Sequence, residues 1–198
     1  MTVHVFHGAQ ITGFDLGKAV EYFSQVTGKS QPELWGILGA QSKPEGAIER
    51  YKKGAASSEE FCQVMAPLLG LSENAFKEEW VNLVPLFFTE DRLDQVEKLC
   101  AKLHKNDDDL FIISSTNALQ HLEVLRLLET RGVYIAPEKW FLSYERGISA
   151  DLHAEDFKKQ GMEALVKLYS VDVEIEDHLN EKDPDLIENL AKSGLRCR

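Results

Sequence analysis

The stretch Leu110-Phe-Ile-Ile-Ser-Ser-Thr-Asn117 constrains this chain more than any other, because four apolar residues run straight into four small polar ones. An apolar run that short, rich in Ile and Phe, reads as a strand buried on both faces. The Ser/Thr/Asn cluster suits a turn that also caps a following helix. That helix is legible over residues 118–131 and is closed by Gly132. Strand, polar tip and helix make half of a βαβ unit, and open parallel sheets bind ligands at such carboxyl ends.

The rest of the chain falls into place around this unit. Val3-His-Val-Phe6 alternates and predicts a first strand. His7-Gly-Ala-Gln-Ile-Thr-Gly-Phe14, with its two glycines, predicts a loop. From Asp15 the period becomes helical, with Asp15 as N-cap, Leu16, Ala19, Val20, Phe23 and Val26 on one face, and Gly28 as the stop. Helices with short polar breaks continue to about residue 90. Ser57 followed by Glu60 makes a capping-box pattern, and Ser72 opens the next helix. Trp35, Phe61, Met65, Phe76, Trp80 and Leu83 recur at helical spacing and are expected in a core. Residues 89–103 form an amphipathic helix with Leu93, Val96, Leu99 and Leu103 on its buried face.

Beyond the central unit, Trp140-Phe-Leu-Ser143 predicts a third strand, and residues 154–162 a helix. Residues 165–173 are ambiguous in period. Val171, Val173 and Ile175 alternate with acids, which favours a strand, and residues 184–194 predict a last helix. Strands alternating with helices at this spacing indicate a doubly wound parallel sheet.

The formal charge is −11, from 33 acidic against 22 basic residues. That excludes nucleic acid and anionic membrane as natural partners, since both require a basic face. Cys62, Cys100 and Cys197 are too few and too scattered for a disulfide framework or a zinc knuckle, which points to a reducing compartment and a cytoplasmic location. The N-terminus lacks a signal-peptide pattern, and no apolar run nears the ~20 residues of a membrane span.

In order and spacing, nearly the whole chain resembles the haloacid dehalogenase-like (HAD) superfamily, and within it the sugar-phosphate phosphatases with a small helical cap. Ile113-Ser-Ser-Thr-Asn117 is similar to that family's second motif, and Phe141-Leu-Ser-Tyr-Glu-Arg-Gly147 to the stretch before its third. The resemblance implies an α/β fold, a three-layer Rossmann-like parallel core of residues 1–12 and 90–198, with an all-helical cap inserted at 13–89. It also implies phosphate-ester hydrolysis through an aspartyl-phosphate. That chemistry needs an attacking Asp, a second Asp as acid and base, a Ser or Thr on the phosphoryl oxygens, a Lys or Arg, and acids holding Mg²⁺.

Laid residue by residue on this chain, the pattern breaks. The nucleophile position is His7 and the second carboxylate position is Ala9. Ser114 keeps the phosphate-gripping position, with Ser115, Thr116 and Asn117 as the rest of a phosphate-binding remnant. The lysine position falls on Ala150, with Arg146 nearby, and the metal motif keeps only Asp172, with Glu174 and Asp177 close behind. A rival register places Phe14-Asp-Leu-Gly17 on the first motif and makes Asp15 the nucleophile, but its upstream strand would carry two glycines and little apolar content.

These readings predict a catalytically degenerate HAD-like protein, a pseudo-phosphatase that acts as an interaction or regulatory protein with a protein partner. No metal or other cofactor is expected. The alternatives are a Mg²⁺-dependent phosphohydrolase that uses Asp15, or a phosphate-ligand binding protein. His7 is a candidate phosphorylated or metal-binding histidine, with His4 expected on the same strand face. His104, His121, His153 and His178 show no helical pairing with a second ligand. Glu174, Glu176 and Asp177 read as a remnant metal site or a solvated acidic edge. The acidic composition of residues 172–185 is similar to the glutamate-rich tails of some secreted bacterial effectors.

Overall fold

The computed structural model describes residues 1–148, 154–169, 173–179, 181 and 185–192. Among them, four parallel strands form one sheet: β1 (Thr2–His7), β2 (Asp109–Ser114), β3 (Trp140–Leu142) and β4 (Glu174–Asp177), in the order β3-β2-β1-β4. β1 and β2 are central, with Val5 opposite Phe111 and Phe6 opposite Ile112. The residues of β2 from Leu110 to Ser114 are all buried, as the apolar run requires.

Side-chain alternation divides the strands between two helical layers. Phe6, Leu110, Ile112, Trp140 and Leu142 pack on α7 (Glu90–Lys105), α8 (Ala118–Thr130) and α11 (Leu186–Lys192). Val3, Val5, Phe111, Ile113 and Phe141 pack on α10 (Ala154–Tyr169) through Phe157 and Leu165. The result is a three-layer α/β core. The buried face of α7 is the one its periodicity predicted, Leu93, Val96, Leu99 and Leu103.

Between β1 and α7 the chain is helical throughout. A short helix, α1 (Gly8–Thr12), follows β1 directly, and α2 (Leu16–Thr27), α3 (Gln31–Gln41), α4 (Ala47–Lys52), α5 (Ser58–Leu69) and α6 (Glu73–Phe87) come after it. Helices α2–α6 enclose an apolar cluster of their own, with the rings of Phe23, Phe61, Phe76 and Trp80 in mutual contact. α9 (Ser143–Arg146) closes β3.

Several local expectations differ from the structure. The loop expected at residues 7–14 holds α1, because His7 and Gln10 cap it reciprocally: Gln10 Oε1 accepts from His7 N (2.7 Å), and His7 Nδ1 accepts from Ala9 N (3.4 Å). Trp35 is 45% exposed, not core, since Leu34 and Leu38 take the inward face of α3 at i, i+4. α10 runs through the ambiguous stretch to Tyr169 and does not stop at Met162, and β4 begins only at Glu174. His4 and His7 do not share a face, because they are three residues apart in a strand. His4 lies with Phe6 on the α7 and α11 side.

Candidate active site at the strand tips

The carboxyl ends of β1 and β2 meet below the helices. Ser114 ends β2 almost fully buried, and the start of α1 rests directly on it: a Cβ at Gly8 would lie 2.0 Å from Ser114 Oγ. Asn117 caps α8 through Oδ1, which accepts from Gln120 N (3.1 Å), and the same oxygen receives Trp80 Nε1 from α6 at 3.4 Å. Thr116 N donates to Ser143 Oγ (3.2 Å) at the end of β3, and Leu119 N donates to Tyr51 Oη (3.2 Å) on α4. Thus Asn117 and the amides of Thr116, Leu119 and Gln120, which would cradle an anion, already have partners within the protein.

A cavity of about 410 Å³ lies between these tips and the helices. His7, Gly8, Ala9, Ser114, Ser115 and Thr116 contribute to its floor. Phe14, Phe23, Leu38, Ile48, Trp80 and Phe87 make it strongly apolar on the helical side. Lys52 brings a cation, and His121 an imidazole that burial pushes down to about 4, so the ring is neutral at pH 7. Its edge meets Trp140 at 4.8 Å between ring centres. Ser115 Oγ and Trp140 Nε1 are buried on this cavity without a hydrogen-bond partner.

Of the residues singled out from sequence, His7, Ala9, Ser114, Ser115, Thr116 and Asn117 come together here. Asp15 does not. It is exposed at the N-cap of α2, where Oδ1 accepts from Gly17 N (2.7 Å) and Lys18 N (3.4 Å), and it does not line the cavity. Ala150 and Asp172 lie outside the described residues. In the chain Asp172 comes before β4, whose carboxyl end belongs to Asp177 and His178. Asp177 is engaged locally, accepting from Leu179 N (2.8 Å) and pairing with Lys158 (3.3 Å). Arg146 stands over the Phe141 ring at 5.0 Å. The helical wall of the cavity was missed in the sequence, because its residues are spread over four helices whose spacing signals only burial.

No protein-family model matches the chain, and no curated protein does. Solved structures do. A HAD-family enzyme from Bacteroides thetaiotaomicron, in complex with magnesium and inorganic phosphate, superposes with a TM-score of 0.53 at 17% identity, covering 83% of this chain and 79% of the other. The fold is HAD-like. A predicted HAD-like family hydrolase from Porphyromonas gingivalis agrees over 98% of this chain and 99% of its own, with a TM-score of 0.52 and 14% identity. At such identities the likeness is one of fold, and it carries the parallel core together with its surrounding helices. Among the described residues no helix is long and apolar enough to cross a membrane.

Proposed function

We propose that this chain is a catalytically degenerate HAD-like protein that acts by binding and not by phosphoryl transfer. One observation carries the reading: among the described residues lining the cavity there is no Asp or Glu. The position of an attacking carboxylate is His7, whose ring nitrogen accepts from the α1 backbone, and two residues on stands Ala9. An in-line transfer without a nucleophile and a proton donor loses nearly all its rate, because such groups act as a unit. The donor set does not fit Mg²⁺ either. That ion requires near-octahedral oxygen ligands, and the β1 tip offers an imidazole and a methyl group.

The cavity volume lies within the ~300–1,000 Å³ range of small-molecule sites. Its apolar wall and its floor of hydroxyls, with Lys52 at hand, suit a small ligand with an apolar body and a polar or anionic head. In this reading the output is an interaction with a protein partner, for which the acidic surface favours a basic face over nucleic acid or anionic lipid.

Two measurements test the proposal. Hydrolysis of a chromogenic phosphate and a panel of sugar phosphates with Mg²⁺ should stay at background. Turnover that vanishes on Asp15→Asn would overturn it. Thermal unfolding should rise with medium-chain carboxylates and barely move with inorganic phosphate or sugar phosphates, because a ligand of the native state raises apparent stability. The opposite ranking would favour the phosphate-ligand alternative.

A further inference from the structure

On the α7 and α11 side of the sheet, away from the cavity, three side chains from opposite ends of the chain meet. We propose that His4, Glu176 and His178 form a binding site for a divalent metal ion of the zinc class. His4 is in β1, and Glu176 stands directly opposite it in the parallel register of β4. His178 follows two residues on and is held against β1 by its backbone N–H, which donates to Val5 O (3.0 Å).

The distances are those of a ligand set. Ligands of a tetrahedral zinc, each about 2.0–2.1 Å from the ion, lie about 3.3 Å from one another. Here His4 Nδ1 is 3.2 Å from His178 Nε2 and 3.4 Å from Glu176 Oε2, and His178 Nε2 is 4.0 Å from Glu176 Oε1. The two imidazoles are nearly coplanar, 3° apart, so their nitrogens face edge to edge. To close, the set needs a rotation of the Glu176 carboxylate, which is 53% exposed, and a small tilt of the two rings so that both lone pairs meet at one point. The same exposure leaves an entry path and a fourth position for water, as in open sites with two His and one Glu.

The surroundings prepare the ligands. His178 Nδ1 lies 2.6 Å from Glu181 Oε1, which fixes the proton on Nδ1 and aims the Nε2 lone pair at the site. The His178 ring stacks on Phe6 at 4.8 Å, and its backbone carbonyl accepts from Gln10 Nε2 (2.7 Å). His4 is buried, 2% exposed, and packs with Phe6 on the same face of the sheet. Two imidazoles and one carboxylate suit zinc, cobalt or nickel and not magnesium. The bound ion would staple β4, a four-residue edge strand with three exposed side chains, to the buried β1.

The test uses the full chain after treatment with a chelator. Calorimetry should show one Zn²⁺ per chain, with thermal unfolding shifted upward by Zn²⁺ and unmoved by Mg²⁺. Co²⁺ should give the visible absorption of tetrahedral coordination. Glu176→Gln, at an exposed side chain, should leave metal-free unfolding unchanged and weaken Zn²⁺ binding at least tenfold. Absence of saturable Zn²⁺ binding, or wild-type affinity in Glu176→Gln, would overturn the proposal. His178→Asn adds a second arm but removes a buried ring, so the glutamate variant decides.

Discussion

Gly8 shows how little room the strand tips leave. A methyl group there would meet Ser114 Oγ at 2.0 Å and its Cβ at 2.5 Å; the hydroxyl can rotate, but the Cβ is fixed by the backbone. Gly8→Ala is therefore expected to cost about 1–3 kcal/mol in urea unfolding. Gly161→Ala should be milder. It meets Ile113 Cδ1 at 2.5 Å and Cγ1 at 2.9 Å, side-chain atoms that can shift only within the packed core, and a gain in helix propensity of up to about 1 kcal/mol offsets part of that cost. His121 carries a pH prediction. Burial lowers its folded pKa to about 4 from 6.5, so full stability is present above pH 6.5 and declines as pH falls toward 4, where the unfolded chain takes up the proton first. With allowance for partial solvent access the loss is on the order of 2 kcal/mol. Buried His4, also lowered, adds a slope of the same sign. The unfolding free energy of wild type minus that of His121→Leu, measured in urea at pH 7 and pH 4.5, isolates the His121 part and should be lower at pH 4.5.

At the scale of elements, side-chain caps set where helices begin. Asp15, Ser57, Ser72, Thr89 and Asn117 each accept from backbone amides in a first turn. Asp15→Ala should lose about 1 kcal/mol while Asp15→Asn keeps nearly all of it, since asparagine caps as well. A nucleophile would tolerate neither change in an activity assay, whereas a cap tolerates the second in thermal unfolding. Asn117 has two tasks, the α8 cap and the acceptor for Trp80 Nε1. Asn117→Ala is expected to cost about 1–2 kcal/mol, because it removes the cap and strands a buried indole N–H. Asn117→Asp should recover most of that loss in the same thermal measurement.

At the scale of the molecule, two apolar groups among the described residues flank the sheet and a third lies within α2–α6. The cavity lies where the helical group meets the strand tips, so Phe23, Trp80, Leu83 and Phe87 serve both as packing and as wall. Phe76 does not line the cavity, and Phe76→Ala should cost about 3–5 kcal/mol through the void it leaves. Chemical unfolding followed by circular dichroism measures this.

Local period and chemistry were enough to read the buried strand ending in Ser114, the caps at Asp15 and Ser57 and the inward face of α7. Each of these depends on neighbours within about one helical turn or a few strand residues, which is the range over which side-chain direction is set by the backbone. What lay beyond that range only the tertiary structure decided. The His7–Gln10 cap made a helix of an expected loop, and Leu34 displaced Trp35 from the core. β4 begins at Glu174, beyond the start of the expected strand, and ends at Asp177. His4 and His178, 174 residues apart, face each other because strand register, not sequence, brings them together. A run of residues specifies its own element and its apolar side, but which distant element covers that side is determined by how all the elements pack at once.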